Sequence, residues 1–157
     1  VVPLAAGCQH GERKVQPSPP PGHQSLLALD REHQRLVRDY EPVSNALTAY
    51  ELSFRDWRLG RLSQAELLAR ARSFRLVVRR ALPRLEGDRA TGETARAKRL
   101  LVEALRARSA ALSALPELGS YRRHWNRSVV DARAGLTVLQ DIRDRARLIP
   151  LPEDAVS

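Results

Sequence analysis

The chain has 157 residues, a formal net charge of +9, and 43% apolar against 29% charged side chains. That balance excludes a disordered chain, and the length suits one domain with a real interior. A single cysteine excludes an intramolecular disulfide, and the absence of an apolar run of about 18 residues excludes a complete transmembrane helix.

The first segment, "VVPLAAGCQH", places small apolar residues directly before Cys8 and turns polar immediately after it. Residues 9–24, "QHGERKVQPSPPPGHQ", follow with Pro17, Pro19, Pro20 and Pro21. Such a segment is extended and semi-rigid, about 50 Å long at roughly 3 Å per residue. "LAAGC", Leu4 to Cys8, resembles the lipobox of bacterial lipoproteins, although Ala5 stands where that family most often has leucine. The resemblance implies that Cys8 carries a diacylglyceryl anchor and that residues 1–7 are the remnant of a signal peptide. The alternative is an N-terminal segment with an incidental thiol. On the lipobox reading, residues 8–24 hold the lipidated cysteine and a Pro-rich tether.

Regular spacing begins after the tether. Leu26, Leu29, His33, Leu36, Tyr40, Val43, Leu47, Tyr50, Phe54 and Trp57 alternate by three and four, the seam of a helix packed in a bundle. Pro42 falls inside that stripe without breaking its register, which predicts a kinked helix rather than two. Gly60 ends this helix, and Ser63 with Glu66 forms a capping box for the second, whose stripe is Leu67, Ala71, Phe74, Val78, Ala81 and Leu85. A break near Gly87 leads to a third helix over about 93–115, with Ala97, Leu101, Ala104, Leu105, Ala111, Leu112 and Leu115 on its apolar side. Pro116 and Gly119 close it. Ser120 is placed to cap a fourth, with Tyr121, Trp125, Ser128, Ala132, Gly135, Leu139, Ile142 and Ala146 as its stripe. Short connections make successive helices antiparallel, so an all-α, up-down-up-down four-helix bundle is expected over residues 25–149, with a tail at 150–157.

The residue types for most site chemistries are missing. No Glu-x-x-His pair exists for a di-iron bundle, and no Cys-x-x-Cys-His for haem. Paired cysteines for zinc, methionine for copper and a glycine-rich phosphate loop are also absent. No metal, no cofactor and no catalytic group is therefore expected. His33 sits at a core position, and the expected topology puts it roughly 33 Å from His124, too far to share a metal. The same topology gathers Tyr50, Phe54, Trp57, Phe74, Tyr121 and Trp125 towards one end of the bundle, as a packed core end or as the wall of a pocket.

Charge is unevenly placed. Residues 1–60 hold 7 basic and 7 acidic side chains, residues 61–127 hold 16 and 6, and residues 128–157 hold 4 and 5. The excess lies in Arg70, Arg72, Arg75, Arg79, Arg80 and Arg84 of the second helix and in Arg96, Lys98, Arg99, Arg106 and Arg108 of the third, with Arg122, Arg123 and Arg127 beyond. A basic face of that kind attracts polyanions over long range. If Cys8 is lipidated, the protein is expected to lie in the bacterial cell envelope. Its partners are then the membrane itself, anionic lipid, a wall polymer or an envelope protein. If the chain is cytoplasmic, nucleic acid becomes the partner, although no DNA- or RNA-binding motif is present. A non-catalytic binding or scaffolding role is expected on either reading, and the long first stripe also admits a homodimer.

Overall fold

The computed structural model describes residues 21–147, which form four helices: α1 Pro21–Arg58, α2 Gln64–Gly87, α3 Gly92–Ala114 and α4 Leu118–Arg147. Residues 1–7, Cys8, the expected tether as far as residue 20 and the tail 150–157 lie outside the described residues. The fold is all-helical, a bundle with no strand among the described residues. The first helix begins at Pro21, four residues earlier than the periodicity indicated. Proline suits that first position because its missing N–H has no helical partner there in any case. The helix is continuous through the exposed Pro42.

The ends are fixed by short-range chemistry. At the end of α1, Arg61 N donates to Asp56 O at 2.8 Å and Gly60 N to Trp57 O at 3.0 Å. This double closure requires a left-handed residue, supplied by Gly60 at φ 71°. The capping box at α2 is present in full: Glu66 N donates to Ser63 Oγ at 3.2 Å, and Ser63 N donates to Glu66 Oε2 at 2.8 Å. The C-terminal carbonyls of α2 receive Lys98 from α3, whose Nζ donates to Glu86 O and Asp88 O, each at 2.6 Å. A cation there also suits the negative end of the helix dipole. Ser120 does not cap α4. The helix starts two residues before it, and the Glu117 carboxylate accepts from the Ser120 amide at 2.9 and 3.0 Å instead.

Side-chain size decides how closely the helices approach. Each helix packs on its neighbours in sequence, α4 returns to α1, and α1 also meets α3, while α2 and α4 do not approach each other. The α3–α4 interface is much the most extensive, and α1–α4 is the slightest between neighbouring helices. Small residues explain the first: Ala97, Ala104 and Ala111 on α3, and Ser128, Ala132 and Gly135 on α4, are all buried. A Cβ at Gly135 would stand 3.1 Å from two carbons of Leu101 and 3.2 Å from the Ala97 carbonyl oxygen. Leu36, Val43, Leu67, Val78, Leu85, Leu101, Leu105, Leu139 and Ile142, all at 2% exposure or less, form the centre of the core.

Two residues near the start of α1 are buried although polar. Glu32 accepts from the Thr91 amide at 2.8 Å, from the Thr91 hydroxyl at 3.2 Å and from the Thr94 hydroxyl. It therefore holds the N-terminus of α3 from a different helix. His33 is 8% exposed, and its Nδ1 has no hydrogen-bond partner among the described residues.

Two expectations follow from this packing. Gly135→Leu must push α4 off α3 and is expected to lower stability by about 2 kcal/mol or more, read from urea unfolding followed by circular dichroism. Gly135→Ala adds one methyl and gains about 1 kcal/mol of helix propensity, so its effect is the smaller of the two. Burial holds the His33 imidazole below its ordinary pKa of 6.5; Arg143 pushes the same way and Asp30 opposes it. The unfolded chain therefore takes up a proton first, so stability falls as pH drops below 6.5 towards the folded value. The urea midpoint should decline across that window in the native chain and stay level there in His33→Leu.

Candidate functional site

The six aromatic residues singled out by spacing are brought together. Tyr50 of α1 stacks on Phe74 of α2, with ring centres 5.2 Å apart, and lies 5.4 Å from Trp125 of α4. Phe54 stacks on Tyr121 at 4.9 Å and contacts Trp57 at 5.5 Å, while Tyr121 stacks on Trp125 at 5.4 Å. Contacts at these distances form one connected cluster spanning three helices. The Tyr50 hydroxyl donates to the Tyr121 hydroxyl at 3.3 Å. Burial raises the Tyr50 pKa to about 12; burial and the neighbouring Tyr50 hydroxyl raise that of Tyr121 further. Both phenols stay protonated at neutral pH and serve as a packed hydrogen-bonded pair rather than as acid and base.

The cluster is core on one side and wall on the other. Tyr50, Phe74 and Tyr121 are buried, whereas Phe54 and Trp125 are half-buried. Phe54, Tyr121 and Trp125 border a cleft of about 550 Å³ between the end of α1 and the start of α4, together with Leu59 and Asn126. Such a volume falls in the range of small-molecule sites. Its remaining lining is charged: Glu51, Arg55 and Arg58 from α1 and Arg122 from α4. Arg55 lies 3.8 Å from Asp56, whereas Arg58 and Arg122 make no ion pair among the described residues. Arg58 follows Phe54 by four residues and Arg122 precedes Trp125 by three, the intervals that put side chains on one face of a helix.

Arg108 does not join the basic face. It is 3% exposed, with Nη1 donating to the Tyr40 hydroxyl at 2.7 Å. Its guanidinium carbon lies 6.0 Å from the ring centres of both Tyr40 and Trp125, which gives it cation–π contacts on two sides. Nε has no partner, and no carboxylate pairs with this charge among the described residues. Position 108 continues the α3 stripe through Leu101, Leu105 and Leu112, so the register alone indicates burial; the arginine's charge argued the other way.

The remaining basic residues divide by helix. On α2, Arg70, Arg72, Arg79, Arg80 and Arg84 are exposed and Arg75 is half-buried. None of the six makes a side-chain ion pair or hydrogen bond among the described residues. On α3, Lys98 is bound to backbone carbonyls, and Arg106 bridges Glu86 at 2.8 Å and Glu103 at 2.7 Å. Arg96 lies in a groove with Glu93, Asp141 and Asp144, and Arg99 shares a groove with Glu86 and Glu103. Arg106 is thus the α3 cation paired with carboxylates among the described residues, while none of the six on α2 is so paired.

Among the described residues, no three His, Cys, Asp or Glu side chains cluster in a way that would hold a metal ion, and no helix is long and apolar enough to cross a membrane. Cys8 lies outside them. Neither a protein-family model, nor a curated protein, nor a solved structure matches this chain.

Proposed function

We propose that this protein is a lipid-anchored component of the bacterial cell envelope, attached through Cys8, whose helical bundle binds an anionic surface and does not catalyse. The observation that carries the binding half is the set of α2 arginines spread around the side of the helix away from the core: Arg70, Arg72, Arg75, Arg79, Arg80 and Arg84, with no carboxylate paired to any of them among the described residues. Unpaired arginines keep their full attraction for phosphate groups, and each contributes about 1 kcal/mol near an anionic lipid surface. The lipobox-like "LAAGC" and the prolines after it support the anchor. In the same reading the helices run up-down-up-down, supported by the pairing of Arg145 late in α4 with Glu93 early in α3, and α1 bends at Pro42, where proline removes a backbone hydrogen bond.

Two measurements test this. The intact mass of the gene product from bacterial membranes should correspond to a chain beginning at Cys8 with a diacylglyceryl group, and Cys8→Ala should lose that mass. An unmodified product in the cytosol sinks the anchor and favours nucleic acid as the partner. Unlipidated protein should bind vesicles containing phosphatidylglycerol at low salt and be released as ionic strength rises. Combining Arg72→Gln, Arg79→Gln and Arg80→Gln should weaken that binding about a hundredfold. Equal affinity of the triple variant removes α2 as the binding face.

A further inference from the structure

No α2 arginine lines the cleft between α1 and α4, and α2 and α4 do not approach each other. Its chemistry is also different. A polyanion-binding face needs charge and no cavity; this cleft has about 550 Å³ of volume, a wall of Phe54, Tyr121 and Trp125, and guanidinium groups at its edge. Aromatic walls of this kind take up flat apolar bodies, and arginine recognises a carboxylate or phosphate with paired N–H donors. Of the charged lining groups three are arginines and one, Glu51, is a carboxylate, so the cleft selects anions over cations. Arg108 adds to that preference from inside the wall. Its guanidinium is buried against the Trp125 ring with Nε unpartnered and no carboxylate paired to it, so its charge is poorly screened by water.

We infer that this cleft is a binding site for a small ligand with a flat aromatic body and a single carboxylate or phosphate group, held by the aromatic wall and by Arg58 and Arg122. The two arginines come from different helices and are exposed, so both are free to turn towards the anionic end of a ligand whose body lies against the half-buried Phe54 and Trp125. The site is independent of the anchor and of the α2 surface.

The test is titration of the full chain with naphthalene-2-carboxylate, followed by backbone and tryptophan side-chain NMR shifts, beside the neutral 2-naphthylmethanol. Shifts confined to residues 51–59 and 121–126, with the neutral compound about tenfold weaker, are the expected result. The Arg58→Gln, Arg122→Gln double variant should lose about tenfold in affinity for the carboxylate and little for the alcohol. Both substitutions are at exposed positions, so a native-like spectrum of the free variant serves as the folding control. Arg79→Gln on α2 should leave the affinity unchanged. Absence of saturable shifts at concentrations to about 1 mM, shifts elsewhere on the chain, or equal affinity of the double variant overturns the proposal.

Discussion

The close approach of α4 to α3 at Gly135 is the constraint from which the rest of the bundle follows. There the Ala97 carbonyl and the Leu101 side chain occupy the space a Cβ would need, so the two helices meet nearly backbone to backbone. Small residues along both seams extend that contact over most of their length. A helix held so tightly on one side has little freedom in how it faces the other. On that other side α1 presents Tyr50, Phe54 and Trp57, with rings too bulky to allow a comparable approach. Interiors pack to nearly constant density, so large and small side chains must be shared out among interfaces. Here the small ones are spent on α3–α4, and the cleft opens where the large ones hold α1 and α4 apart.

Polar groups buried between α1 and α3 compensate for the slight α1–α4 interface. Glu32 accepts from the Thr91 amide at the start of α3, which also donates to the Thr94 hydroxyl of its own helix, and from both threonine hydroxyls. Further along, Tyr40 accepts from Arg108 of α3. Both contacts join α1 to α3 across the bundle, and each would leave a buried polar group unpaired if α1 shifted. Such groups cost about 1–3 kcal/mol when stranded, which makes them position-specific in a way that apolar contacts are not. Direction comes from these bonds; most of the adhesion comes from the leucines around them.

Spacing made four helices, most of their ends and most of the core legible, because a stripe repeating every three or four residues has few other solutions. Gly60, Ser63 and Glu66 could be read because caps depend on neighbours in sequence. Glu117 was missed through a competing signal: Ser120 is the commoner capping residue, but the helix started earlier and a longer carboxylate reached its amide. Glu32 and Arg108 were missed for a different reason. Their partners are 59 and 68 residues away in sequence, and nothing local announces such a bond. The aromatic gathering was legible from helix order and length alone. That one side of it opens into a cleft was not, because an opening depends on how far apart two helices are held, and spacing carries no information on that distance.

The division of charge between α2 and α3 has the same origin. Helix α3, like α1, meets each of the other helices, and two of its arginines have acids of a flanking helix nearby: Glu86 pairs with Arg106, and Asp141 and Asp144 share a groove with Arg96. Helix α2 is flanked on two sides only and has no contact with the acid-bearing α4. Its own acids, Glu66 and Glu86, stand at its two ends, and each is already engaged, one in the cap and the other by Arg106. The arginines between them make no ion pair among the described residues, although Arg84 stands near enough to Asp39 of α1 to interact with it electrostatically. Helices two and three carry a similar excess of basic residues; packing pairs Arg106 of α3 with carboxylates and buries Arg108, and it leaves most of the α2 arginines in solvent, where at low cost in stability they retain their long-range pull on anions.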